Sequence, residues 1–141
     1  METTFSTWTC EAPGPLIGCG IDAERISRFL RYTAGEAHPM PFVFSSREIR
    51  YSRSSASPQR SLCASFCCKE ALFKAIREPY DFPACELFWD GGATGDVRIS
   101  RAVRRQYDIN EAVARVAEVA SDDELVVTVF LFGPSQASPG T

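Results

Sequence analysis

Residues 66–76, Phe66-Cys67-Cys68-Lys69-Glu70-Ala71-Leu72-Phe73-Lys74-Ala75-Ile76, set Glu70 and Lys74 one helical turn apart in a segment that is otherwise apolar on nearly every side. A helix of this composition belongs in an interior. Extended backwards, the register puts Cys63, Cys67, Glu70 and Lys74 on one face. Leu62, Phe66, Phe73 and Ile76 flank it on one side, and Ala64, Cys68, Ala71 and Ala75 on the other. The spacing predicts a long buried helix from about Ser61 to Glu78, stopped by Pro79. Glu70 and Lys74 are expected to share an inward face. Burying a carboxylate and an ammonium is costly unless they pair with each other, a metal or a ligand. The plainer alternative is an exposed i, i+4 pair, which stabilises a helix by only a few tenths of a kcal/mol.

Upstream, Leu16 to Ile21 reads as a short strand. Asp22 is expected to open a helix from Ala23 to about Tyr32, with Ile26, Phe29 and Leu30 as its apolar stripe. At such a junction Asp22 is either an N-cap or a functional carboxylate. Arg25, Arg28 and Arg31 fall along one broad side of that helix and suit either an acidic partner or solvent.

Four blocks carry a resemblance: Gly20-Ile21-Asp22, Ile26-Ser27-Arg28-Phe29, Phe44-Ser45-Ser46-Arg47-Glu48-Ile49-Arg50-Tyr51, and Phe66-Cys67-Cys68-Lys69-Glu70-Ala71-Leu72-Phe73-Lys74-Ala75. In order and spacing they resemble the signature of the holo-(acyl-carrier-protein) synthases, the small phosphopantetheinyl transferases. The match spans about 15–132, with Lys-Glu-Ala-x-x-Lys-Ala its most specific part. The resemblance implies transfer of the phosphopantetheine arm of coenzyme A to a serine of an acyl or peptidyl carrier protein. It implies Mg²⁺ held by Asp22 and Glu70, with Lys74 beside the transferred phosphoryl group as the third catalytic residue. It further implies coenzyme A contacts near Lys69, Gly95 and Ser121, carrier docking through Arg25, Arg28 and Arg31, and a homotrimer with active sites at subunit interfaces. The chemistry suits these residue types, because Mg²⁺ takes one or two carboxylates and completes its shell with phosphate oxygens and water.

Three positions differ from the family's usual residues. Ser65 stands where an arginine is usual, Gly95-Asp96-Val97 where a Gly-Lys-Pro or Gly-Arg-Pro turn is usual, and 118–121 or 119–122 where Ser-x-Ser-His is usual. These differences support an alternative: a repurposed or inactive member that binds a carrier protein, or acts on a carrier-bound polyketide or fatty chain, without transfer.

Composition is that of an ordinary soluble domain. The 141 residues are 45% hydrophobic and 23% charged, enough for one core. A net charge of −3 argues against a general nucleic-acid binder. Six cysteines raise the question of staples or zinc, but the N-terminal stretch has neither basic nor apolar signal-peptide regions, and no run approaches a membrane span. The expectation is a cytoplasmic protein with no membrane association, whose thiols are reduced and whose Cys63, Cys67 and Cys68 are core residues.

Along the rest of the chain, 33–43 reads as a loop, and Ser45 with Glu48 as a capping box opening a short helix to about Tyr51. The serine-rich stretch 52–60 reads as a mobile linker. Cys85 to Trp89, a glycine-rich turn at 90–95 and Val97 to Ile99 read as a hairpin, and Arg101 to Tyr107 as a helix. Glu111 to Glu118 favours helix by composition, yet Leu125 to Phe132 is strongly β and needs a partner, so 115–120 is assigned to a strand across a turn at 121–124. The fold expected is α+β, an antiparallel sheet packed against a long buried helix. The domain covers 15–132, between a variable segment 1–14 and a disordered tail 133–141.

Overall fold

The conflict between helix propensity and strand pairing at 111–120 is resolved by pairing. β4 (Val113–Ser121) and β5 (Glu124–Phe132) form an antiparallel hairpin around Asp122 and Asp123. Asp122 takes a left-handed backbone, φ 47°, which aspartate tolerates better than bulkier residues. In the computed structural model, residues 3–6, 13–33, 40–77, 81–86, 95–96 and 99–134 are described. β1 (Thr3–Ser6), β2 (Leu16–Arg25) and β3 (Gly95–Asp96) complete an antiparallel sheet of order β1-β4-β5-β2, with β3 also paired to β4. Helices α1 (Leu30–Thr33), α2 (Ser46–Arg53), α3 (Pro58–Ile76) and α4 (Arg101–Gln106) join it. This is the expected α+β architecture.

Helix α3 crosses one face of the sheet. The face it covers carries Leu125, Val127, Val129 and Leu131 of β5 and Ala114 and Val116 of β4, all buried. Against them pack Leu62, Cys63, Ala64, Cys67, Cys68, Ala71 and Leu72, so the thiols of α3 are core groups as expected. Burial also pushes the Cys85 thiol up to about 11, which keeps it protonated at neutral pH.

Several local expectations are corrected. Asp22 does not open a helix: β2 continues through it to Arg25, since Asp22 pairs with Val127 and Arg25 with Glu124. The ladder overrides the local helix signal, and helical geometry starts only at a 3₁₀ turn, Ile26–Phe29, ahead of α1. Nor is 52–60 a mobile linker. The Ser54 hydroxyl donates to Tyr51 O (2.9 Å) and that of Ser55 to Ser52 O (2.7 Å), Ser61 Oγ meets Ser52 Oγ at 3.2 Å, and Pro58 starts α3. These serines satisfy groups at helix ends and so form a tight turn.

Helix α2 carries the expected capping box, with Ser45 accepting from Glu48 N while Glu48 accepts from Ser45 N. Helix α3 ends at Ile76 because Arg77 is left-handed, φ 69°. Cys85 and Glu86 are not in a strand, and the remainder of that expected strand, with most of its turn and return, lies outside the described residues, as does the tail from 135. Thr3–Ser6, before the expected domain start, pair with Ser121 to Glu118.

Candidate active site

Two glycines bring the site together. A Cβ on Gly20 would lie 1.9 Å from Ala71 O, and one on Gly18 2.4 Å from Ala75 O, so the backbones of β2 and α3 touch there. Only glycine permits that approach, and Ala71 and Ala75 leave room for it. Strand alternation then aims Asp22, two residues beyond Gly20, at the same helix. Lys74 Nζ donates to Ile21 O at 2.7 Å and to Asp22 Oδ1 at 3.1 Å. Asp22 Oδ2 is buried and accepts no hydrogen bond.

Glu70 stands beside this pair. Burial raises its carboxyl above the ordinary 4.5, and the charges of Asp22 and then Glu24 raise it further, while Lys74 and Arg28 oppose them. Two carboxylates therefore lie close together, offset chiefly by Lys74 and less by Arg28. Glu70 is half-buried and the Lys74 side chain is 46% exposed, so the shared face lies at the rim of the core rather than inside it. An orphaned carboxylate oxygen next to a second, repelled carboxylate suits a hard cation such as Mg²⁺. Among the described residues no group of three or more His, Cys, Asp or Glu could hold a metal, and Mg²⁺ commonly takes only one or two carboxylates from a protein.

The buried charge on α3 is Lys69. Its Nζ donates to Phe82 O (2.6 Å) and Cys85 O (2.5 Å) and pairs with Glu48 at 3.0 Å, with both side chains within 1% of complete burial. That occupies the three protons of the ammonium. Expected at a coenzyme A site, Lys69 instead ties α2, α3 and the 82–85 segment together. Gly95 pairs with Val116, two strands away from β2. Ser121 lines a surface cavity of about 310 Å³ with Arg25, Asp122, Asp123 and Glu124. Within this chain neither is brought to the carboxylates. Ser65 is 2% exposed, so a guanidinium there would have to be buried, and Glu118 is a buried acid paired with Arg60.

The three arginines do not share one helix face. Arg25 ends β2, Arg28 pairs with Glu24 and lies 5.3 Å from the Phe66 ring centroid, and Arg31 stacks over Tyr32 at 4.7 Å. Glu24 was hidden by the helix expectation. In a strand it stands two residues past Asp22 on the same face, beside the site.

The family model of the 4'-phosphopantetheinyl transferase superfamily matches residues 18–129. Among solved structures, a holo-[acyl-carrier-protein] synthase from Neisseria meningitidis is similar at TM-score 0.67 and 16% identity, over 82% of this chain and 98% of that one. The acyl carrier protein synthase of Mycobacterium tuberculosis is similar at TM-score 0.60 and 22% identity, over 84% and 99%. A Chronobacterium ammoniagenes synthase solved as a coenzyme A complex is similar at TM-score 0.63 and 18% identity, over 85% and 98%. These identities establish a shared fold. A comparison with curated proteins finds no match.

Proposed function

The chain belongs to the 4'-phosphopantetheinyl transferase superfamily, a family of transferases, and we propose that it moves the phosphopantetheine arm of coenzyme A onto a serine of an acyl or peptidyl carrier protein. The observation that carries this reading is the buried, unpartnered Oδ2 of Asp22 beside Glu70 and Lys74. Asp22 and Glu70 would hold Mg²⁺, which when bound neutralises diphosphate charge. In the transfer, the serine oxygen bonds to the β-phosphorus of coenzyme A, its proton passing to solvent, as the bond to the nucleoside bisphosphate breaks and that group leaves. Lys74, steered by Ile21 O and Asp22, places its ammonium where it offsets negative charge on the phosphoryl group. Arg28 and Arg31 offer cations to an acidic carrier. The similarity to a structure solved with coenzyme A supports that co-substrate.

We further propose that 15–132 form the transferase domain, with β1 (Thr3–Ser6) added to its sheet, that the active assembly is a homotrimer, and that the protein works in the cytoplasm in fatty-acid or polyketide synthesis. Among the described residues no helix is long and apolar enough to cross a membrane. A second reading, a carrier-binding scaffold without transfer, is favoured by the buried Ser65, the buried Glu118 and the acidic surroundings of Ser121. The test is incubation with coenzyme A, Mg²⁺ and a panel of apo carrier proteins. Mass spectrometry should show the phosphopantetheine gain on at least one carrier, lost on chelation of Mg²⁺. Carrier binding with no gain on any partner selects the second reading.

A further inference from the structure

The start of the arginine-bearing turn is fastened from the opposite end of the sequence. The 3₁₀ turn Ile26–Phe29 receives no side-chain cap from Arg25, the residue that precedes it. Its first donors go instead to Asp123, in the turn between β4 and β5. Ile26 N donates to Asp123 O (2.8 Å), Ser27 N to Oδ1 (2.8 Å) and Ser27 Oγ to Oδ2 (2.5 Å). One exposed residue 96 positions from Ser27 thus satisfies the amides that a helix start leaves open. The two Ser27 bonds hold its carboxyl below the ordinary 3.8.

The cationic residues come directly after this fastening. Arg28 lies over Phe29 and Phe66, and Arg31 over Tyr32. From Ile26 to Thr33 only Phe29 is fully buried, packed on Phe66 at 5.4 Å between centroids. Beside the Phe29 ring, the packing of Ile26 and Tyr32 on the core and the Arg28–Glu24 pair, the Asp123 clamp is the attachment at the start of the segment.

We propose that Asp123 is a positioning residue, fixing Ser27 and hence the direction in which Arg28 and Arg31 meet an acidic carrier protein. This rests on the transferase reading above. Asp123 bonds to Ile26 and Ser27 rather than to Asp22, Glu70 or Lys74, and it lines a surface cavity with Ser121. KM for coenzyme A is therefore measured beside KM for the carrier, to separate docking from any effect through Ser121.

The experiment is steady-state transfer with an apo carrier protein that the wild-type protein modifies. Asp123→Ala should raise KM for the carrier roughly fivefold, in line with loss of a helix cap, and leave kcat and KM for coenzyme A within about twofold. Ser27→Ala should raise the same KM, and the double variant should be no worse than Asp123→Ala. Asp123→Asn should rescue, because an amide accepts from Ser27 N and donates to Ser27 Oγ. The rival outcome has a clear signature. If Asp123→Ala lowers KM, or Asp123→Asn behaves like Asp123→Ala, the charge acts on the partner directly and the clamp proposal is overturned. Hydrogen exchange at the Ile26 and Ser27 amides, which Asp123→Ala should accelerate, reads the clamp without any carrier, and unchanged exchange overturns it. If the wild-type protein transfers to no carrier, the transferase reading falls first, and with it the docking role.

Discussion

Glu70 carries the charge that the site makes most costly. Its carboxyl is raised from 4.5 by burial first and by Asp22 second, so the folded protein holds this proton more tightly than the unfolded chain does. Stability from this group is present at low pH and falls as pH climbs from about 4.5 through the raised value, with the whole penalty in force above it. Glu70→Gln removes the penalty. Its thermal midpoint at neutral pH should equal or exceed that of the wild-type protein, its pH profile should flatten in that window, and calorimetry should show Mg²⁺-dependent coenzyme A binding abolished. A variant that loses stability yet keeps that binding would make Glu70 a structural partner of Lys74. Its neighbour Lys69 has the opposite character. Lys69→Met leaves the carboxylate of Glu48, 1% exposed, without its cation, and should cost roughly 3 to 5 kcal/mol in urea unfolding. Glu48→Gln combined with it should recover part of the loss. A weakened affinity for coenzyme A at unchanged stability would instead return Lys69 to the coenzyme A site.

Among the elements, the contact between β2 and α3 decides the geometry of the site. Gly20→Ala puts a methyl 1.9 Å from Ala71 O, a backbone atom that cannot swing aside, so strand and helix must separate. The expected loss is at least about 1 to 3 kcal/mol, the range for overpacked cores, with transfer falling further because Asp22 moves away from Glu70 and Lys74. A denaturant midpoint within error of the wild type would show that strand and helix can part there without cost. This element was half legible in the sequence. Its apolar composition identifies α3, and motif spacing offers Asp22, Glu70 and Lys74 as candidates, which the fold brings together. The extension of β2 past Asp22 was not, because its cause is pairing with Val127 to Glu124, about a hundred residues downstream. The same error concealed Glu24, and it made Arg25, Arg28 and Arg31 look like one helix face. The structural role of Lys69 is not legible in the sequence because the partners that fill its donors, Glu48, Phe82 O and Cys85 O, lie on other elements. Gly18-Cys19-Gly20 held a usable signal, since alternate glycines in a strand mark a close neighbouring backbone.

For the whole molecule, the face of the sheet turned away from α3 sets the expected state of association. β2 ends the strand order, and among the described residues it pairs only with β5. Beside that edge, Leu16, Ile17 and Ile21 are 56%, 50% and 55% exposed. An open edge and adjoining aliphatic side chains are features that proteins cover, by self-association where nothing else is available. Covering them at this edge would also bring a second subunit close to Asp22, which fits a catalytic site completed between chains. Light scattering should therefore report self-association at micromolar concentration, a trimer if the assembly proposed from the family resemblance holds. Ile17→Glu tests the face with a change five positions from Asp22. Desolvating a new carboxylate opposes assembly, so the variant should run as a monomer with an unchanged circular dichroism spectrum. Its transfer activity should fall by roughly tenfold or more, since a 1.4 kcal/mol loss at a shared site already amounts to that factor. A wild-type monomer, or a monomeric Ile17→Glu protein with full activity, would place the complete site within one chain.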